Sequence, residues 1–365
     1  MTARINFVVT GFDDWPEFFR SPRDISIHEL GKRITHGEQV WTARVFWALA
    51  HRNLPAGAEI RASSRLCKDS INVVHTYRLV RILDQTRPEH FIVCARSDYE
   101  APYSAHFWIE QNGLRKPAPW HGHVNNWREP GLIPRDPERG TRVARVAFKG
   151  YIQNLAPVFR SDGFRARLAG MGVDLSLGFE RHGIGDEAWG NYRRADITLA
   201  VRKMTRMTAR AKPAAKLVNA WTAGTPALLG PEPAFREVRK SDLDYIEVRS
   251  PEEVLAAVAR LRDDPELYAA MVANGFERAK EFTDDATAGR WAALLEGPVA
   301  REWERWKRRS KLRRRAEHLI GLPAHLASRF LWHKQRNIGA RVDALNPFRI
   351  HALHDRAHQF RRHRV

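Results

Sequence analysis

The sequence predicts an α/β protein of doubly wound parallel sheets, followed by a basic helical tail. Three observations predict it: short apolar runs alternate with helix-patterned segments, no self-similar period is evident, and cationic residues concentrate beyond residue 300. With 365 residues, 43% of them hydrophobic, the chain can build two or three domains, each with its own core. That composition excludes disorder throughout.

In the first half, residues 5–9, 58–62, 71–74 and 91–95 read as strands of one sheet, with a helix over 40–49 between the first two. The apolar run that opens the chain ends at Gly11, too soon for a signal-peptide core. No stretch approaches the ~18 to 20 consecutive apolar residues that a membrane-spanning helix needs. Residues 127–140 are rich in Pro and Gly and read as an interdomain linker. The expected domains are therefore 1–135, 136–299 and a tail over 300–365.

In the second half, residues 143–148, 173–177, 197–201, 226–229 and 245–248 read as strands. Gly170 and Gly172 read as a helix stop. Ser250 is placed to cap a helix with Pro251 at its first position and Glu253 closing a capping box, and Val254, Leu255, Val258 and Leu261 form its buried stripe. Asp264-Pro265-Glu266 opens the next helix, and Asn274-Gly275 is its expected stop.

The chain carries 61 Lys and Arg against 42 Asp and Glu, a formal charge of +19, which calls for a polyanionic partner. Residues 300–365 hold 18 Lys and Arg against 5 Asp and Glu, a net +13. There Trp303, Trp306, Leu312, Leu319, Leu322, Leu326, Phe330, Leu331 and Trp332 are interleaved with the Arg-rich stretch 307–315, as in helices that lie on anionic lipid. A charged helix packed back on the body and a nucleic-acid-binding arm are the alternatives. The two cysteines, Cys67 and Cys94, give no disulfide framework and fit a reducing compartment, so the expected location is the cytoplasm, at the inner face of a membrane if the tail binds lipid.

The chemistry points to residues 202–216. This segment follows a strand and contains Arg202, Lys203, Arg206, Arg210, Lys212 and Lys216 but no acid. Pro213 begins a helix that ends before Gly224, which sets Lys212 and Lys216 at a helix N-terminus, where the dipole already disfavours cations. A diphosphate there would accept free main-chain N–H groups and ammonium protons together, at the sheet edge where open α/β folds bind ligands. A solvated basic loop is the bland alternative. The absence of G-x-x-x-x-G-K-[ST] and of a strand-linked G-x-G-x-x-G argues against a P-loop ATPase and an ordinary NAD fold.

The run from Lys212 through Thr225 and Pro226, followed by 250–253, 260–267 and 274–282, resembles the donor domain of GT-B glycosyltransferases. Within that fold it resembles the large retaining, family 4-like group that includes sucrose, glycogen and mannosyl transferases, which implies an enzyme of the bacterial type. The resemblance covers about 143–295 and implies two Rossmann-like domains facing a cleft. It implies a nucleoside-diphosphate sugar as donor, held mainly by the second domain, with no obligatory cofactor or metal. By position, Gly150 matches the glycine loop beneath the diphosphate, Arg202, Arg206, Arg210, Lys212 and Lys216 surround the phosphates, Asn219 faces the ribose, and Thr225 lies in the turn behind. The family's paired glutamates are replaced by Ala211 and Asn219. A noncatalytic nucleotide-sugar-binding protein on the same fold is therefore an alternative.

Acceptor-side groups are expected after the strands of the first domain. The candidates are Gly37 and Glu38 in a loop before a helix, His75 after the third strand, and Asp98 after the fourth, where Arg96 is a candidate ion-pair partner. His75 or Asp98 would act as base if the reaction inverts configuration. In a retaining transfer the leaving diphosphate takes the acceptor proton, and cations supply most of the stabilisation. The expected acceptor is a glycan or a lipid-linked molecule. His121-Gly122-His123 and Asp242-Leu243-Asp244 are too sparse to read as metal sites.

Overall fold

The computed structural model describes residues 4–53, 57–115, 118–178 and 188–345. The chain divides into two compact units. One comprises Met1–Trp127 with Thr283–Gln335, and the other is built on Arg128–Phe282.

The first unit contains a parallel sheet of six strands: β1 (Arg4–Val8), β2 (Glu59–Ser63), β3 (Ile71–His75), β4 (Phe91–Ala95), β5 (Phe107–Glu110) and β6 (His121–His123). Their order is β2-β1-β3-β4-β5-β6, and Ile5 pairs with both Ile60 and Ile71. Strands β3 and β4 are buried along their whole length, as continuous apolar runs in the middle of a parallel sheet should be. The helix expected over 40–49 forms as two, Gly37–Trp41 and Ala43–Arg52.

The C-terminal segment departs from expectation. Residues 283–299 do not belong with the second sheet, and 300–335 do not stand apart as a tail. Trp291, Leu295, Val299, Trp303 and Trp306 share one apolar core with Phe7, Phe46 and Phe91. Trp303 and Trp306 stack at 5.1 Å, with Phe91 at 5.2 and 5.6 Å from their rings. Burial against the first sheet, worth roughly 1.5–3 kcal/mol for each large apolar side chain, is the physical reason for the reassignment.

The second unit contains a parallel sheet in the order β11-β10-β9-β7-β8, formed by β7 (Arg145–Phe148), β8 (Asp174–Leu177), β9 (Ile197–Ala200), β10 (Ala227–Leu229) and β11 (Ile246–Glu247). All five fall within the expected runs. Ser250 and Asp264 cap their helices by accepting the N–H of Glu253 at 3.2 Å and of Leu267 at 2.9 Å. The Asp162–Gly170 helix ends at its expected glycine.

Two expectations fail here. The Pro265–Ala279 helix runs straight through Gly275. A Cβ at Gly275 would lie 3.1 Å from Trp221 Cδ1 and 3.3 Å from its Cα, so this glycine allows a close helix crossing and is not a stop. Gly275→Val should cost about 1–3 kcal/mol through overpacking, read as a lowered urea midpoint. The supposed linker is also part of the second unit. The N–H groups of Ile133, Arg135 and Asp136 donate to the carbonyls of Gly190, Ala223 and Arg193.

Arg135 further binds Asp196, which is fully buried at the start of β9. Asp196 also accepts from Arg139 and from the N–H groups of Ala144 and Arg145 at 2.8 and 2.9 Å. Burial alone would raise its pKa, but the hydrogen bond from Arg139 and those from the main chain hold it below the usual carboxylate range.

Candidate functional site

In the second unit, β7 runs out into Lys149 and Gly150 at its carboxyl end. The Ala215–Ala223 helix starts nearby, with no side chain capping its N-terminus. Lys216 is half-buried as a residue, but its stem turns inward and its Nζ donates to the Lys149 carbonyl. The ammonium lies 5.1 Å from the ring centre of Trp189 and 5.8 Å from that of Phe148. A Cβ at Gly150 would come within 3.1 Å of Nζ, and one at Gly178 within 2.4 Å of the Gly150 carbonyl oxygen. Glycine at both positions lets the ends of β7 and β8 close over the ammonium.

Burial, and then the neighbouring Arg202 charge, push the Lys216 ammonium down to about 8, against the opposing pull of Glu129 and Glu232. An enclosed cation with a depressed pKa gains most from an arriving anion.

The other basic residues are arranged differently. Arg202 forms an ion pair with Glu232, its Nε 2.8 Å from the carboxylate, with both side chains largely buried. Arg210 is exposed, and Lys212 is half-buried where the Arg206–Ala211 helix ends. The Arg206 side chain lies outside the described residues. Asn219 is buried, and its Oδ1 accepts the Glu129 N–H at 3.0 Å. Thr225 is buried with its hydroxyl 2.7 Å from that of Thr198. Of the predicted donor residues, the structure brings Gly150 and Lys216 into contact, sets Arg202 and Lys212 close enough to weaken the Lys216 charge, and gives Asn219 and Thr225 bracing bonds within the protein.

Lys149, Trp189 and Glu232 were not foreseen. Glu232 stands 30 residues from Arg202 in sequence, and only the paired β9 and β10 bring them together. Trp189 packs edge-on to Tyr151 at 4.9 Å, and its buried Nε1 has no partner among the described residues.

In the first unit, the carboxyl ends of β1, β3 and β4 gather Glu38, His75, Asp98 and Tyr99. Thr10 donates to Glu38 Oε1 at 2.8 Å, while Glu38 Oε2 is buried without a partner among the described residues. Gly37 opens the Gly37–Trp41 helix that carries Glu38. His75 lies edge-on to Tyr99 at 5.2 Å, and burial pushes its imidazole down to about 3 despite the opposing charge of Asp98.

The Nδ1 of His75 accepts the Tyr77 N–H at 3.2 Å, so the neutral ring carries its proton on Nε2, a buried atom without a partner among the described residues. In this form His75 offers a hydrogen-bond donor. Asp98 accepts from Gln111, in a turn held by Ser97 at φ 51°. Arg96 pairs with Glu110 at 3.0 Å, contrary to its expected pairing with Asp98, because β5 brings Glu110 alongside.

Among the described residues, no group of three or more His, Cys, Asp or Glu side chains is placed to hold a metal ion. Asp244 is committed to an ion pair with Arg278 at 2.6 Å, and His121 and His123 lie on the edge strand β6.

Residues 153–296 match the model of a family described as glycosyl transferase-like. No curated protein matches the sequence significantly. Among solved structures, HepE of Anabaena in complex with UDP is similar over 62% of this chain and 78% of its own, at 11% identity and TM-score 0.45. Sucrose-phosphate synthase from Thermosynechococcus elongatus is similar over 63% of this chain and 74% of its own, at 12% identity and TM-score 0.42. The pneumococcal O-GlcNAc transferase GtfA, in complex with UDP and GlcNAc, is similar over 64% of this chain and 58% of its own, at 11% identity and TM-score 0.40. The matched segment contains the 212–226 run on which the GT-B resemblance rests, and glycosyltransferase is the class that its family model names.

Proposed function

We propose that the protein transfers a sugar from a nucleoside diphosphate to a glycan or lipid-linked acceptor in the cytoplasm, with retention and without an obligatory metal. The observation that carries this reading is the enclosed Lys216 ammonium at the end of β7, inside the glycosyl transferase-like segment. As the glycosidic bond breaks, negative charge grows on the departing diphosphate. Lys216 and the uncapped helix N-terminus would stabilise that charge, with Lys212 adding to the field. Glu38, Asp98 and neutral His75 are proposed as acceptor-side groups, the first two accepting and the third donating hydrogen bonds.

The test is release of nucleoside diphosphate from a panel of nucleotide-sugars, with the product anomer read by NMR. Turnover that persists in a chelator, with retained configuration, is expected. Nucleotide-sugar binding without turnover on any acceptor would favour the noncatalytic alternative.

The depressed Lys216 pKa also sets a pH dependence. A nucleoside-diphosphate sugar, whose diphosphate keeps its charge across this range, binds the protonated form and raises its pKa, so its affinity should be flat below about pH 7 and weaken by up to about tenfold per unit above pH 8. Calorimetry across that window checks it, and an affinity that strengthens as pH rises would contradict it.

A further inference from the structure

The tail that the donor chemistry leaves unused borders a cavity of about 700 Å³ in the first unit. The cavity lies at the amino ends of β4 and β5, the opposite edge of the sheet from His75 and Asp98. The Ala300–Lys307 and Lys311–Leu345 helices form its other wall. Tyr103, Trp108 and Trp120 line one side, packed edge-on at 5.2 and 4.8 Å, and Tyr103 and Trp120 remain 53% and 41% exposed at its mouth.

The opposite side is cationic. Arg305 and Arg309 are matched by Glu302 and Glu317. Arg87 and Arg314 have no carboxylate partner among the described residues: Arg87 donates to the carbonyls of Asp84 and Thr86, and Arg314 donates to those of Trp306 and Lys307 while lying 4.0 Å over the Trp306 ring. The cavity therefore sets two guanidinium groups without a carboxylate partner among the described residues beside an aromatic wall.

The Lys311–Leu345 helix shows an apolar stripe next to this mouth. Leu312, Leu319, Leu326 and Phe330 follow one another at steps of seven, seven and four residues, each near a whole number of helical turns, and are 78%, 70%, 54% and 66% exposed. Ile320, itself a cavity residue, flanks the stripe at 69% exposure and joins it to the mouth. Exposed Arg315 and Lys334 border it, as does Arg313, which pairs with Glu317 at 2.9 Å. Apolar side chains outward, cations alongside and Trp and Tyr at the rim form the pattern of an interfacial helix on an anionic bilayer. A nucleic-acid backbone would satisfy the cations but leave the stripe in water.

We propose that this face docks on an anionic phospholipid surface, with the stripe entering the boundary of the acyl region and one lipid phosphate held in the cavity by Arg87 and Arg314. Co-sedimentation of the full chain with phosphatidylcholine vesicles, with and without phosphatidylglycerol, tests it. Binding is expected only with phosphatidylglycerol present. The Leu319→Ser, Phe330→Ser pair should weaken it by at least about tenfold, and the Arg87→Gln, Arg314→Gln pair by about tenfold, with nucleoside-diphosphate binding unchanged in both.

Equal binding to both vesicle types, indifference to either pair, or capture of single-stranded RNA with no vesicle binding would overturn the proposal. The serine pair alters only exposed side chains, so it decides the matter if the arginine pair fails to fold.

Discussion

Lys216→Met should weaken nucleoside-diphosphate binding by about 1.5–3 kcal/mol, roughly ten- to a hundredfold, the range for a hydrogen bond to a charged group. The effect is expected to be large because the ammonium is enclosed between the Lys149 carbonyl, Phe148 and Trp189, where solvent screens it little. Lys216→Arg should rescue poorly, since a guanidinium is wider than an ammonium and even one added carbon, a Cβ at Gly150, would lie 3.1 Å from Nζ. Calorimetry near pH 7 reads both variants. Wild-type affinity in Lys216→Met would remove Lys216 from the donor site.

Asp196→Ala should lower stability by about 3–5 kcal/mol, the cost of removing one partner from a buried ion pair. The loss strands Arg135, itself 8% exposed, together with the Arg139 guanidinium and the N–H groups of Ala144 and Arg145. Asp196→Asn should lose less, because its amide oxygen can still accept. Urea unfolding measures the difference, and a change below about 1 kcal/mol would mean that the cluster relaxes around the missing carboxylate. Because Asp196 anchors β9 and Arg135 ties residues 133–142 to it, this acid converts a Pro- and Gly-rich stretch into fixed structure.

How far the structure could be read from sequence depended on whether a local pattern had one physical meaning or two. Central strands such as β3 and β4 are legible because continuous burial demands an unbroken apolar run. Strand β6 is not, because His121-Gly122-His123 holds no strong strand former and is extended only through pairing with Trp108, Ile109 and Glu110. Gly275 carries the signature of a helix stop, yet Trp221, 54 residues away, is what requires a glycine there.

Periodicity shows which face of a helix is apolar but not what covers it. Trp303 and Trp306 thus read like Leu319 and Phe330, although the first pair lies in the core and the second faces solvent. At the candidate donor site the cationic run of 202–216 was legible as a whole. Which cation is enclosed was not, since that depends on Glu232 neutralising Arg202 and on Gly150 having no Cβ to crowd the Lys216 Nζ.

The most direct test of donor binding is a crystal structure of the protein with a nucleoside diphosphate. Phosphate oxygens are expected within about 2.7–3.2 Å of Lys216 Nζ and of the first N–H groups of the Ala215–Ala223 helix. A nucleotide seated elsewhere, with Lys216 still donating to the Lys149 carbonyl, would contradict it.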